Sequence, residues 1–448
     1  MRCSYNIRID GIDKSDTKTE YSIIRGMADM ELKENSMILA HDRFYSLDTH
    51  ETQLNNNVLV VGTSGSGKTR SIVIPNLLMA TGSYVVSDPK GNLYNKYKKY
   101  LEKKGYEVKK LDFTDPKHSI HYNFFNYMNG PQDIVKVAHM LIYQYSSATR
   151  TVDPFWDEAA QLLVQAVMAY LIEAYEPCER NLHNILKIIA ACQVDEECSS
   201  SETATDILFR QLEKANPDSY AVSMYNKFRI AAGKTLKSIL ISVNARLGLY
   251  DTPDINRMMS FDDTDVTSLG RKKTALFVVV SDTDRSLDGL VNIFYAQAMN
   301  ELCRYADKQC RDQRLPVPIR FILDDFATNC TIAEFPRMIS SFRSRDISAM
   351  LMIQAESQLA QCYGYDAKTI IGNCDTYVYL GGNDVETAHA VAERCDIPVK
   401  KILNMPVGTN WIFRRGEEPY NGRNFDITGF YNELQARYMV SEDFLAIE

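Results

Sequence analysis

Gly62-Thr63-Ser64-Gly65-Ser66-Gly67-Lys68-Thr69, directly after the apolar run Val58-Leu59-Val60-Val61, is a complete phosphate-binding loop. The pattern G-x-x-x-x-G-K-[ST] lets the backbone wrap around a triphosphate. Successive N–H groups and the N-terminus of the following helix then face phosphate oxygens. Lys68 is expected on the β- and γ-phosphates, and Thr69 is expected to give its hydroxyl to Mg²⁺. Asn57 and the strand after it are expected to hold the loop at the carboxyl edge of a parallel sheet. The chemistry indicated is that of ATP with Mg²⁺. A Gly/Ser-rich turn that matches by accident is disfavoured by the apolar strand before it and the helical run over 71–80.

Hydrolysis needs a second acidic element on a buried strand, and Phe321-Ile322-Leu323-Asp324-Asp325 supplies a Walker B pattern. Asp324 is the candidate for the magnesium shell, and Asp325 is the candidate base that activates water. Ala349-Met350-Leu351-Met352-Ile353-Gln354 is another apolar strand ending in an amide. Gln354 at its tip can hydrogen-bond the attacking water or the γ-phosphate; an ordinary polar strand end is the alternative. Phe342-Arg343-Ser344-Arg345 brings two guanidiniums, either of which can reach a neighbouring subunit's γ-phosphate. On chemistry alone, a solvated basic turn explains them equally well.

The elements that must position these residues follow from periodicity. From residue 57 to about 112, short β-branched runs alternate with helical stretches, the signature of a parallel sheet. From about 153 to 259 the pattern is helical. Asp153-Pro154-Phe155-Trp156 opens a run in which Ala159, Leu162, Leu163, Ala166, Val167, Tyr170 and Leu171 form an apolar stripe. Strand texture resumes at Thr274–Ser281, Arg320–Leu323, Ala349–Ile353 and Thr376–Leu380, and 416–423 reads as loop. The expected fold is α/β, a doubly wound domain carrying an inserted all-α domain. Its expected parts are an N-terminal segment 1–45, a discontinuous α/β domain 46–150 and 263–448, and an all-α insertion 151–262.

Composition sets bounds on function. A chain of 448 residues exceeds one ordinary core, and its 45% hydrophobic and 24% charged content is that of a folded soluble protein. A net charge of -8 argues against coating nucleic acid with the whole surface, but permits a strand to pass a few local cations. Ten scattered cysteines contain no C-x-x-C pair and read as reduced thiols. No apolar run is long enough for a membrane span, so a cytoplasmic location is expected. Lys96-Tyr97-Lys98-Lys99-Tyr100 reads first as a solvated helix face, and His118-x-x-His121 as a loop lacking a third metal ligand. Phe155 and Trp156 read as a core anchor. Asp88 and Lys90 are divided between a turn-and-cap role and contact with nucleotide or a neighbouring subunit.

In colinear blocks from about Met37 to Leu445 the chain resembles the type IV secretion coupling proteins, the ATPases of bacterial conjugation. The resemblance rests on Val61–Arg70 with Pro75-Asn76, Ser87-Asp88-Pro89-Lys90-Gly91, Asp153-Pro154-Phe155-Trp156 and Phe321–Phe326. It continues through Gln354 with Ser357-Gln358-Leu359, and Asn373-Cys374-Asp375 running into Tyr379-Leu380-Gly381-Gly382. The family implies a RecA-like P-loop domain, a homo-hexameric ring that pumps DNA, and a helical domain that receives the relaxase–DNA substrate. Arg343 lies 19 residues and Gln354 30 residues after Asp324. Those offsets match the family's trans-arginine and sensor, which raises Arg343 above Arg345.

Two departures are evident. The second Walker B acid is Asp325, where the family usually has Glu. The family's pair of N-terminal membrane helices is missing from the chain, so attachment at the inner face of the membrane, beside the secretion channel, is expected through an absent anchor or a partner. Two other classes of function fit the same loop. One is a receptor ATPase for protein substrates; the other is a small-molecule phosphotransferase, disfavoured because no arginine-rich lid follows the loop.

Overall fold

The computed structural model describes residues 35–143, 154–192, 202–231, 233–329 and 331–429. Asp153, Cys3, Cys198, Cys330 and the tail beyond 429 lie outside them. A nine-stranded sheet has the order β11-β10-β9-β3-β8-β7-β4-β6-β5. Its strands are β3 (Val58–Val61), β4 (Ser83–Asp88), β5 (Glu107–Asp112), β6 (Thr274–Val279), β7 (Ile319–Leu323), β8 (Ile347–Ile353), β9 (Thr376–Tyr379), β10 (Thr409–Arg414) and β11 (Tyr420–Arg423). All pairings from β9 across to β5 are parallel, whereas β10 joins β9 and β11 antiparallel. Parallel strands buried on both faces read as continuous apolar runs, which is why Val58–Val61 and Ile347–Ile353 lack polar alternation.

Alternate residues of each strand feed two cores. Leu59, Val61, Phe321, Leu323, Leu351 and Ile353 face the long helix Asp288–Gln309 and the helical domain. Val58, Val60, Ile322, Met350 and Met352 face Ile72, Val73 and Leu77 of the helix after the loop, and Tyr97 and Tyr100 of the helix Asn92–Lys103. A hairpin of β1 (Ser36–Ala40) and β2 (Arg43–Ser46) also packs there. Asn76 fastens it: its Oδ1 accepts from Ile38 N at 2.9 Å and its Nδ2 donates to Ile38 O at 2.7 Å. An amide used this way repeats the ladder of a missing strand.

The central helical region contains the helices Pro154–Ala174, Leu182–Ala190, Ala204–Ala215, Tyr220–Phe228 and Gly233–Leu247. Short polar side chains set several starts. Asn181 caps one helix and Ser219 another, while Thr203 and Asp206 form a reciprocal capping box. Pro154–Ala174 packs against Tyr220–Phe228, where Phe209 and Tyr225 stack at 3.9 Å. The apolar stripe expected there is buried at Ala159, Leu163, Ala166, Val167, Tyr170 and Leu171, while Leu162 is only partly covered.

Several details differ from the sequence reading. Residues 420–423, read as loop, form an edge strand with register Thr409↔Arg423 to Ile412↔Tyr420. Backbone pairing decides this, and the polar, glycine-containing sequence carries no period-2 signal. Trp156 packs against the core as expected, but Phe155 is 45% exposed. Asn57 sits at the start of β3 and not beside the loop. It bridges strands there, accepting from Ala349 N at 2.9 Å and donating to Asn373 O at 2.9 Å. Among the described cysteines, Cys192 and Cys374 are buried and Cys178 is exposed. No described helix is long and apolar enough to cross a membrane.

Candidate nucleotide site

The loop leaves β3 at the carboxyl edge of the sheet and is pinned from both neighbouring strands. Gly62 N donates to Ile353 O of β8 at 3.1 Å, and Thr63 N donates to Gly381 O just beyond β9 at 3.0 Å. Gly67 has φ +93°, a conformation open to glycine at little cost. At Gly62 a Cβ would meet Ser66 Oγ at 2.5 Å and Leu380 Cβ at 2.9 Å, so the crowding comes from packing. The helix opens with a wide π-type turn, Lys68–Val73, and tightens to an α-helix over Ile74–Leu78.

Lys68 folds inward and donates to Gly62 O at 2.6 Å and Thr63 O at 3.2 Å. Burial pulls its ammonium below the usual lysine range, and the carboxylates of Asp325 and Asp324 push it partly back. Thr69 donates its hydroxyl to Asp324 Oδ2 at 2.7 Å, although β8 separates their strands in the sheet. Burial raises the Asp324 carboxyl above its ordinary value; the Thr69 bond and the Lys68 charge oppose the rise, and the Asp325 charge adds to it.

Asp325 has φ +49°, a left-handed backbone that costs a non-glycine residue about 1 kcal/mol. Its N–H donates to Asp324 Oδ1 at 3.1 Å. The turn thereby re-aims the second acid away from the strand direction. Gln354 follows β8, the strand between the loop strand and the acid strand, and its N–H donates to Gln358 Oε1 at 3.0 Å. Lys68, Thr69, Asp324 and Asp325 thus form one cluster, with Gln354 at the adjoining strand end.

Arg343 lies elsewhere. It precedes β8, on the amino edge of the sheet, with weak contacts to Thr49 O and Gln53 Oε1 at 3.5 and 3.3 Å. Arg345 is engaged by Asp307 at 2.8 Å through two nitrogens. Asp88 takes the cap role: buried at the end of β4, it accepts from Tyr94 N at 2.9 Å at the start of the Asn92–Lys103 helix. Among the described residues Lys90 reaches only Asp282, at 3.9 Å on the surface. His121 is held by Asp263 and Arg257, and no group of three metal-type side chains occurs among the described residues.

Two contributors were given no role at the site by the sequence reading. Gly381, with φ +93°, offers the carbonyl that anchors Thr63, and its only sequence signal is the Gly381-Gly382 pair. Asn424, beyond β11, donates to Ser66 O at 3.4 Å and carries no signal at all.

Oxygen donors at Thr69 and Asp324, beside an ammonium with no anion of its own in the loop, match what Mg²⁺ and a phosphate chain require. Mg²⁺ takes few protein oxygens and completes its octahedron with phosphate and water.

Known proteins converge on this architecture. The profile of the family described as type IV secretory system conjugative DNA transfer matches residues 10–396. The coupling protein VirD4 of Bartonella henselae is 23% identical over 357 residues, covering 76% of this chain and 53% of its own length. Protein VirD4 of Agrobacterium fabrum is 24% identical over 340 residues, 73% and 48% of the two chains. The chain spans about half the length of these curated relatives. Among solved structures, the plasmid coupling protein TrwB in complex with ADP and Mg²⁺ superposes with a TM-score of 0.64 at 16% identity, over 89% of this chain and 92% of that one. VirB4 of Thermoanaerobacter pseudethanolicus aligns at TM-score 0.53 and 12% identity, over 88% and 96%. With a RecA-like P-loop sheet, an all-α domain and a profile match across most of its length, the chain belongs to the conjugative DNA-transfer family of type IV secretion coupling proteins.

Proposed function

We propose that this chain binds ATP with Mg²⁺ at Gly62–Thr69 and hydrolyses it as the coupling ATPase of a conjugative secretion apparatus. The observation that carries the reading is the 2.7 Å contact between Thr69 and Asp324, which joins loop and acid strand with the Lys68 ammonium beside them. TrwB, of the same fold, binds ADP with Mg²⁺ and the non-hydrolysable analogue ADPNP.

In this reading the loop amides and Lys68 hold the phosphate chain, and Thr69 and Asp324 hold the metal shell. Asp325 takes the proton of the attacking water, which Gln354 orients. Arg343 completes the site of the next subunit in a homo-hexameric ring, so that hydrolysis in one subunit biases the position of another. The helical domain receives the relaxase–DNA substrate at the cytoplasmic face of the membrane, beside the secretion channel and attached through an anchor or a partner.

The test is the ATPase rate against protein concentration, with and without single- and double-stranded DNA. A specific activity that climbs with concentration and is stimulated by DNA supports the proposal. Assembled rings with basal activity and no response to DNA would identify a receptor ATPase for protein substrates instead.

A further inference from the structure

The amino edge of the sheet carries a second cationic feature that the nucleotide chemistry does not use. Arg320, the second residue of β7, is 6% exposed, among the most deeply buried charged side chains described. Its Nε donates to Ser348 Oγ at 3.3 Å, and Ser348 Oγ in turn donates to Ile319 O at 3.4 Å. Among the described residues no carboxylate pairs with it. Burial pulls the guanidinium below its ordinary value, with the neighbouring Tyr84 hydroxyl opposing.

An ion withdrawn from water without a partner is strongly disfavoured. A hydrophobic residue of similar volume would fit the strand without that cost. Arg320 also lines a cavity of about 70 Å³, together with Arg343, Tyr84, Ser83 and Asn56. Arg343 likewise pairs with no carboxylate among the described residues and makes only its long contacts to Thr49 and Gln53. The acid on the wall, Asp346, is already bound to Arg314 at 2.6 Å. Among the described residues the lining therefore keeps two positive charges that no carboxylate pairs with, flanked by hydroxyl and amide groups that can also bond an anion. A planar guanidinium can bind a tetrahedral oxyanion bidentately, and this cavity wall carries two of them.

We propose that Arg320 and Arg343 form a binding site for a phosphate-class oxyanion at the amino edge of the sheet, at the opposite end of β7 from Asp324. The group is either free inorganic phosphate or a phosphate presented by an adjoining chain. When filled, the site holds Arg343 against Arg320 and so sets how far Arg343 extends from the surface. With free phosphate the inference is independent of the proposed ATPase cycle; with a phosphate from an adjoining chain it rests on that reading.

The probe is inorganic phosphate, titrated against the thermal midpoint of the full chain, with wild type compared to Arg320→Met and Lys68→Ala. The expected result is a phosphate-dependent rise in wild type and in Lys68→Ala, whose impaired nucleotide loop is distant from the cavity. In Arg320→Met the apparent phosphate affinity falls about tenfold or more, while stability without phosphate stays equal or higher. That pattern in the isolated chain assigns free phosphate. If the dependence on Arg320 emerges only in assembled, ATP-loaded protein, read as weaker assembly of Arg320→Met with ATP but not with ADP, the adjoining chain supplies the group. A phosphate response identical in wild type and Arg320→Met, with assembly also unchanged, overturns the site. So does a loss of stability in Arg320→Met that phosphate does not influence, since that is the behaviour of a purely structural arginine.

Discussion

Thr69 and Asp324 meet at 2.7 Å across the end of β8, so a side-chain hydrogen bond joins the phosphate loop to the acid strand. The bond only partly offsets the cost of burying Asp324, whose carboxyl stays above its usual range. An acid whose pKa is higher in the folded state binds protons more tightly there. Its ionised form therefore detracts from stability at neutral pH, and the penalty fades as pH falls through the folded value toward the unfolded one near ~3.9. Asp324→Asn should raise the thermal midpoint at pH 7, by about 0.5–2 kcal/mol of stability, and the gain should vanish near pH 4. The same variant should lose about 10- to 100-fold of the Mg²⁺ enhancement of nucleotide affinity. Unchanged Mg²⁺ dependence would remove Asp324 from the metal shell.

Asp325 keeps its left-handed backbone beside the site, and aspartate and asparagine tolerate that conformation better than most residues. Asp325→Asn should therefore fold and bind nucleotide as wild type does, while hydrolysis falls by about 100-fold or more. Single-turnover measurement separates the two effects. An Asp325→Asn chain that hydrolyses at the normal rate would move the water-activating role to another group.

The loop, the Walker B strand and the tip of β8 were legible because each is a run of consecutive residues whose backbone geometry follows from local sequence. Val58–Val61 and Phe321–Leu323 read as strands because both faces are buried and no polar residue interrupts them. What the sequence withheld depends on tertiary neighbours. Nothing in Asn424 or Gly381 says that their chains return to Ser66 and Thr63, and nothing in Tyr420–Arg423 says that an edge strand waits to pair with it. Arg320 is the clearest case. In the sequence it reads only as the first residue of the strand Arg320–Leu323, and only the packed sheet shows a buried guanidinium lining a cavity.

Gly62 is confined by packing, since its backbone is not left-handed and a Cβ there would press on Ser66 Oγ and Leu380 Cβ. Leu380 follows β9 and cannot retreat without disturbing the strand that anchors Thr63. Gly62→Ala is expected to cost about 1–3 kcal/mol of stability and to weaken nucleotide binding about tenfold or more. Gly105→Ala is the control: its φ is +83° but its Cβ would meet open space. That change should cost about 1 kcal/mol through the backbone alone and leave nucleotide binding intact. Equal losses of nucleotide affinity in the two variants would mean that crowding at Gly62 is not what shapes the loop.

Arg343 and Gln354 stand at opposite ends of β8, whose seven residues span about 20 Å. An arginine side chain cannot cross that distance, so Arg343 has no route to the nucleotide of its own chain. Arg343→Ala should accordingly bind ATP with wild-type affinity as an isolated chain, while the assembled protein loses hydrolysis by a factor of about 10³ or more. Lys68→Ala should lose hydrolysis through its own loop. Each variant keeps what the other lacks, because an Arg343→Ala chain retains an intact loop and a Lys68→Ala chain retains an intact arginine. Mixed in equal amounts before assembly, they regenerate complete sites at about a quarter of head-to-tail interfaces. Activity should therefore reappear in the mixture although neither variant has any alone. Failure to recover, with mixed rings demonstrated by differential labelling, would exclude catalysis by Arg343 across the interface and leave it only its place beside Arg320 at the sheet edge.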